Sequence, residues 1–353
     1  MSEEKAKVTQ YRKAIADENY EIVKKNSQFI PSTCQVKTKS NIKGILKNKN
    51  IIEILNATTN QAIQHYLNEN ATYNIAVLNF ANAERPGGGY LKGSPAQEEE
   101  LCRTSPFLYA SLDNGRQQGF YNSWGNKNWN SQMLYTPNSL FIRNDGLSSN
   151  NKYDFLNKSY NASVITSAAP DFRNITDPKQ IPSDAEYENV IKQIYYTPIV
   201  LKDETVFTQL VQLGHITCTS KIDNKQVPLV DILILGAWGC GAFKFGNTFT
   251  RNNKTYTYSE YMAERFVSVL SNLGGHYKKI CFAIPKSIDK TNYDIFNNAF
   301  ISNQNNFASV KTISLQISSN VFFQGGGEGD DRDNYYNKYI KYKKKYLNLK
   351  QEN

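Results

Sequence analysis

The chain has 353 residues, enough for one large domain or two ordinary ones, and its apolar fraction of 40% allows a sizeable core. The net charge of +9 and the pI of about 9.0 favour acidic partners, although part of the excess sits near the end of the sequence, at Lys338, Lys341, Lys343, Lys344, Lys345 and Lys350. The charged start, MSEEKAKVTQ, has no signal-peptide apolar core and no apolar run is long enough to cross a bilayer, so no membrane partner is expected.

In chain order, residues 5–28 read as an amphipathic helix with Tyr11, Ile15, Ile22 and Val23 on one side, closed by Pro31. Residues 34–39 and 51–55 read as strands, with a basic stretch at 41–50 between them. Thr58 caps a helix that runs through Ala62, Ile63, Tyr66 and Leu67. Residues 74–80 form an apolar strand that breaks into Pro86-Gly87-Gly88-Gly89. Residues 99–112 are helical by pattern, and a polar loop rich in Gly, Asn and Trp follows to Gln132. Strands are expected at 139–142 and 162–167, a loop at 170–182, and a long helix at 187–213 broken near Pro198. Residues 230–235 are a strand running into Gly236-Ala237-Trp238-Gly239-Cys240-Gly241-Ala242-Phe243. Helices at 259–273 and 293–300 alternate with strands at 279–284 and 311–317. Buried strands alternating with helices imply a three-layer α/β domain. The second triple glycine, Gly325 to Gly327, lies in an acidic linker. Beyond it Tyr335, Tyr339, Tyr342, Tyr346 and Leu349 make a coiled-coil-like seam on a basic helix, suited to an anionic partner.

The cysteines, Cys34, Cys102, Cys218, Cys240 and Cys281, are odd in number and form no CxxC pair, which argues for free thiols in a reducing, cytoplasmic setting. His215 and Cys218 have a metal-like spacing without a second pair, so no metal is expected.

Two glycine-rich turns, 87–89 and 236–241, each follow an apolar strand. In open α/β sheets ligands bind beyond the carboxyl ends of strands, and main-chain N–H groups from such turns can hold a diphosphate. Neither turn has the GK[ST] or GxGxxG pattern, which disfavours nucleotide triphosphate hydrolysis and hydride transfer. Gln97-Glu98-Glu99 adds adjacent acids at a helix start, where mutual repulsion raises the pKa of one of them. A carboxylic acid beside a bound sugar phosphate is a general acid for glycosidic cleavage. Glu100 reads as a partner of the helix dipole. Cys240 reads as a buried filler and Trp238 as core, while Trp124 and Trp129 are candidates to cover a polymer or an adenine.

Gly87-Gly88-Gly89 followed by Gln97-Glu98-Glu99 resembles the signature of poly(ADP-ribose) glycohydrolases (PARGs). The flanking Leu78-Asn79-Phe80-Ala81-Asn82 and Glu100-Leu101-Cys102-Arg103, and the stretch Gly236 to Phe243, look like the microbial type of that family. The resemblance spans roughly residues 45–290. It implies a macrodomain-like α/β/α fold with a mixed central sheet and no cofactor. It further implies Glu99 as catalytic acid and then base, and Glu98 on the ribose hydroxyls. Asn82 and Phe243 would meet the distal ribose, and Gln97 would join the substrate contacts. Gly87, Gly88 and Gly89, with Gly239, Cys240, Gly241 and Ala242, would wrap the diphosphate. The Lys/Tyr tail resembles those of some giant-virus proteins, which would place the protein in a host cytoplasm or nucleus.

The domains expected are an N-terminal helical extension (1–44), the glycohydrolase domain (45–320), a linker (321–334) and a basic tail (335–353). The function expected is hydrolysis of ribose–ribose bonds in poly(ADP-ribose), from chain ends. The rivals are a non-catalytic reader of ADP-ribosylated proteins and a hydrolase of mono-ADP-ribosylated protein or nucleic acid.

Overall fold

The computed structural model describes residues 3–37, 48–147, 152–222 and 226–315. The linker and basic tail expected beyond residue 320 lie outside the described residues.

Four short apolar runs organise the fold: β2 (Ile51–Asn56), β3 (Ile75–Ala81), β7 (Ile232–Leu235) and β10 (Lys279–Ala283). They are apolar on both faces, and almost every residue in them is buried, as strands covered by helices on both sides must be. They pair in parallel, with β11 (Ser309–Ser314) outside β2 and β5 (Phe155–Ala168) outside β3. Beyond β5 the sheet turns antiparallel through β4 (Gln132–Arg143), β1 (Cys34–Lys37) and β6 (Ile216–Cys218), giving one mixed sheet of nine strands. Helices α1 (Glu3–Lys25), α3 (Gln97–Thr104) and α4 (Pro106–Gln117) pack together. So do α5 (Asp184–Lys202), α7 (Tyr258–Asn272) and α8 (Lys286–Ser302). The macrodomain-like α/β/α architecture with a mixed sheet is therefore present.

The cap at Thr58 forms as a full capping box with Gln61 on α2 (Thr59–Glu69). Two other expectations need correction. The helix at 99–112 is two helices, because Pro106 has no N–H to continue α3 and instead starts α4. The long helix does not break at Pro198, which lies inside α5. It breaks at Asp203, whose carboxylate accepts from Val206 N and caps α6 (Glu204–Gln212). A hairpin, β8 (Phe249–Arg251) and β9 (Lys254–Tyr256), was not anticipated. Its signal was Asn252-Asn253, both at positive φ, the pair a tight hairpin turn favours.

The boundary drawn at residue 44 cuts through the domain. Strand β1 lies within the sheet, and Asn19 of α1 is completely buried. Its amide donates to Tyr90 Oη (3.1 Å) and Arg103 O (2.9 Å), and its oxygen accepts from Arg143 Nε (2.8 Å). The first helix is thus fastened to the segment that follows the triple glycine. The expectation of free thiols throughout also needs correction. Cys34 and Cys218 face each other across β1 and β6 and form a disulfide, a pairing hidden by a sequence separation of 184 residues. Cys102, Cys240 and Cys281 are free and buried.

Candidate active site

Strand β3 outruns one of its neighbours. It pairs with β5 as far as Ala81 but with β7 only through Val77. The exposed rung is filled by a side chain: Gln97 Nε2 donates to Leu78 O (2.8 Å) and its Oε1 accepts from Phe80 N (2.9 Å), in the manner of a strand. Gln97 is also the first residue of α3, so this one amide sets the start of the helix against the end of the strand. The structure thereby reassigns Gln97 from substrate contact to structural clamp. Replacing it with Ala leaves a backbone carbonyl and a backbone N–H without their partner, and the expected loss is about 1–3 kcal/mol of stability, measurable by urea denaturation.

Between the strand and that helix runs the turn 82–93. Asn82 begins it: its side-chain oxygen accepts from Glu84 N (2.9 Å) and Arg85 N (3.0 Å), while its side-chain amide bonds to nothing among the described residues. The half-buried Asn82 therefore shapes the turn and keeps two donors for a ligand. The three glycine amides do not serve an anion. Gly87 N donates to Glu98 Oε1 (3.2 Å), Gly88 N to Arg85 O (3.0 Å) and Gly89 N to Glu99 Oε1 (2.7 Å). The triple glycine thus holds the acids rather than wrapping a diphosphate, which corrects the sequence expectation. Its composition follows from the same closeness. Gly88 has φ +54, and a Cβ there would lie 2.7 Å from Glu99 Oε1 and 3.0 Å from Glu98 Oε2.

Glu98 and Glu99 are both buried. Glu98 accepts from Asn82 N (2.8 Å), Gly87 N and the Asn79 amide (3.4 Å), so both of its oxygens are engaged by protein. Burial pushes its carboxyl up to about 8; the bond from Asn82 N opposes this, the Glu99 charge adds to it, and Asn79 and Gly87 oppose it further. Glu98 braces the turn against α3, a role that comes before any contact with ribose hydroxyls. Glu100 is also more than a partner for the helix dipole. It accepts from Tyr153 Oη (2.6 Å), Arg103 Nη2 (3.0 Å) and Gly146 N (3.1 Å), and so ties α3 to the β4–β5 connection.

Opposite stands the second glycine turn, which leaves β7 beside β3. Gly236 makes the close approach possible: a Cβ there would meet Phe80 Cζ at 2.7 Å and Ala283 O at 2.9 Å. In this turn the amides of Gly239, Gly241, Ala242 and Phe243 bond to nothing among the described residues, and Gly241 and Ala242 are exposed. Cys240 is different. Its amide donates to Ala237 O (3.1 Å) and its thiol is buried against Trp238 O, so its side chain is the filler that composition suggested and not a substrate contact. Trp238 is core, with Nε1 on Ser167 O (3.1 Å). Trp124 and Trp129 are core too, buried and joined by Trp124 Nε1 to Trp129 O (2.9 Å), so they cannot cover a polymer. Phe243 is half-buried.

Residues 3–144 match the family profile described as microbial-type PARG, catalytic domain. That stretch is similar to the catalytic domain of microbial-type PARGs. It contains the triple glycine and the three glutamates, and it begins in α1, in agreement with the packing of that helix. Among solved structures, a PARG from Thermomonospora curvata is similar at 24% identity, covering 82% of this chain and 100% of that one, with a TM-score of 0.59. The same glycohydrolase bound to the inhibitor ADP-HPD matches at 24% identity and the same coverage, with a TM-score of 0.57. At that identity the likeness establishes a PARG-type fold over most of the chain. No curated protein matches the sequence.

Two participants were missed by sequence reasoning. Asn79, which supports Glu98, had a signal: it is the polar residue within the otherwise apolar run of β3. Arg173 lies over the Phe243 ring, 4.6 Å from its centroid, and had none, since that contact joins two loops 70 residues apart in sequence.

Proposed function

We propose that the protein is a glycosidase that hydrolyses ribose–ribose O-glycosidic bonds in poly(ADP-ribose), working from chain ends and releasing ADP-ribose. The observation that carries this is the opposition of two neighbouring strand ends. One presents the Glu99 carboxyl, held at Oε1 by Gly89 N; the other presents the amides of Gly239, Gly241, Ala242 and Phe243, which bond to nothing among the described residues. Unbonded amides at a strand end suit a pyrophosphate, and a buried carboxyl nearby suits proton transfer to a sugar oxygen.

In this reading Glu99 gives its proton to the departing ribose oxygen as the C–O bond breaks through an oxocarbenium-like transition state. The resulting carboxylate then takes a proton from the attacking water, whose oxygen bonds to the anomeric carbon. One residue serves both halves of the reaction, and Glu98 fixes the turn from which Gly89 holds it. Asn82 keeps its side-chain amide for the sugar, and Phe243 gives the distal ribose an apolar wall. Incubating the protein with labelled poly(ADP-ribose) and with a mono-ADP-ribosylated protein tests the assignment. Free ADP-ribose should appear from the polymer, and intact polymer after long incubation would sink the proposal.

Glu98 also gives the protein a pH dependence. Its folded pKa of about 8 stands above the ordinary 4.5, so between these values the folded chain holds a proton that the unfolded chain releases. The stability from this group is whole below about pH 4.5 and is lost as pH rises through 8. Melting temperature should therefore fall between pH 5 and pH 8.5, and Glu98→Gln should flatten that slope. An identical slope in the variant would remove Glu98 as its source.

A further inference from the structure

We propose that Arg173, laid over the face of Phe243, forms an accessory subsite at the mouth of the cleft for the pyrophosphate of the ADP-ribose unit adjoining the one released. This inference rests on the polymer-cleaving reading above and adds a second point of contact along the chain.

Arg173 belongs to the segment that leaves β5 at its carboxyl end, next to β3. That segment is bound directly to the second glycine turn. Phe172 N donates to Phe243 O (2.9 Å), Phe172 is buried, and Ala169 Cβ lies 3.2 Å from where a Cβ of Gly239 would stand. The two loops are therefore joined, and Arg173, next to Phe172, packs over the ring of Phe243. The guanidinium centre is 4.6 Å from the ring centroid, and Arg173 Nε lies 3.0 Å from both Asp171 oxygens. Nη1 bonds to nothing among the described residues.

The fold has little need of this arrangement. The Arg173 side chain is 57% exposed, and an ion pair in such a position contributes at most about 1 kcal/mol. What it provides is a cation held over Phe243, which follows the exposed Gly241 and Ala242 in the second glycine turn. Guanidinium is the side chain best matched to phosphate oxygens, and Asp171 and the ring together hold it in place before a ligand arrives. The main-chain amides of the second turn account for one pyrophosphate. A polymer carries another in the next unit, still attached to the ribose whose bond is broken. That unit lies in solvent outside the cleft, where a full charge is a better anchor than an amide dipole.

The test is calorimetry on Glu99→Gln protein with two ligands, ADP-ribose and a purified ADP-ribose dimer. The dimer should bind more tightly than the monomer. Adding Arg173→Ala should weaken the dimer about 5- to 10-fold while changing the monomer less than about twofold, as expected for loss of one charge-assisted contact. The salt dependence of dimer binding should become shallower by one phosphate contact, and Arg173→Lys should restore the slope. Equal weakening of both ligands would place Arg173 in the primary site and overturn the subsite. No change for either would reduce it to a surface ion pair. If wild-type protein releases ADP-ribose from polymer and the dimer still gains nothing from Arg173, only this inference falls. If wild-type protein leaves polymer intact, the parent reading falls first.

Discussion

Glu99→Gln should abolish release of ADP-ribose from labelled polymer while leaving ADP-ribose binding within a few-fold of wild type. Glutamine has nearly the same shape, and its oxygen can still accept from Gly89 N as Glu99 Oε1 does at 2.7 Å. The turn and the amides across the cleft should therefore persist. What disappears is the capacity to give and then take a proton. A single general acid or base typically contributes about 10²–10⁴-fold, and here one group carries both steps, so a loss of at least about 10³-fold in kcat is expected. The effect should appear in kcat with little change in the dissociation constant, the pattern of an interaction made only in the transition state. Calorimetry and a turnover assay on the same preparation separate the two quantities. Turnover within tenfold of wild type would show that the proton comes from elsewhere.

The second large effect is expected from Gly88→Ala, which adds one methyl group and no charge. The residue is at φ +54, where a side chain costs about 1–2 kcal/mol. The new Cβ would be 2.7 Å from Glu99 Oε1 and 3.0 Å from Glu98 Oε2. Carboxylates at the ends of flexible chains can usually step aside. These cannot do so freely, because Gly89 N holds one, and Asn82 N, Gly87 N and Asn79 hold the other. Relief has to come from moving Glu99 or lifting the turn, and either displaces the proton donor. Misplacement by about 1 Å can cost about 10²-fold in rate, so kcat should fall by at least that factor. The turn lies beyond the carboxyl end of β3 rather than within the sheet, so the melting temperature should drop by only a few degrees. A variant that melts like wild type and turns over at wild-type rate would show that the carboxylates are not packed against Gly88.

The comparison of sequence with structure turns on which partners are near in the chain. The four central strands and the cap at Thr58 were legible because buried strands are apolar runs and a capping box is local over three residues. The adjacency of glycines and acids was legible for the same reason, since Gly87 and Glu99 are separated by a single turn. Errors arose where a residue's partner is remote. Pro198 reads as a break, yet the helix continues through it and stops at Asp203, which carries a cap. Trp124 and Trp129 read as ligand covers because their loop is polar, yet Trp129 packs on Trp238 at 5.8 Å between ring centroids. Gln97 reads as part of a catalytic signature, and its task is to complete a strand edge.

By itself the sequence determined an α/β domain in which two apolar strands run into glycine turns and acids follow the first. Those features depend on residue type and short spacing. Only the tertiary structure decided which turn holds the carboxylates and which keeps its amides free. Hydrogen-bond partners are assigned by what lies across a gap, and both turns look alike when read as strings. It also decided that Cys34 meets Cys218 and that Arg173 meets Phe243, because parallel and antiparallel pairing brings together segments that no local pattern connects.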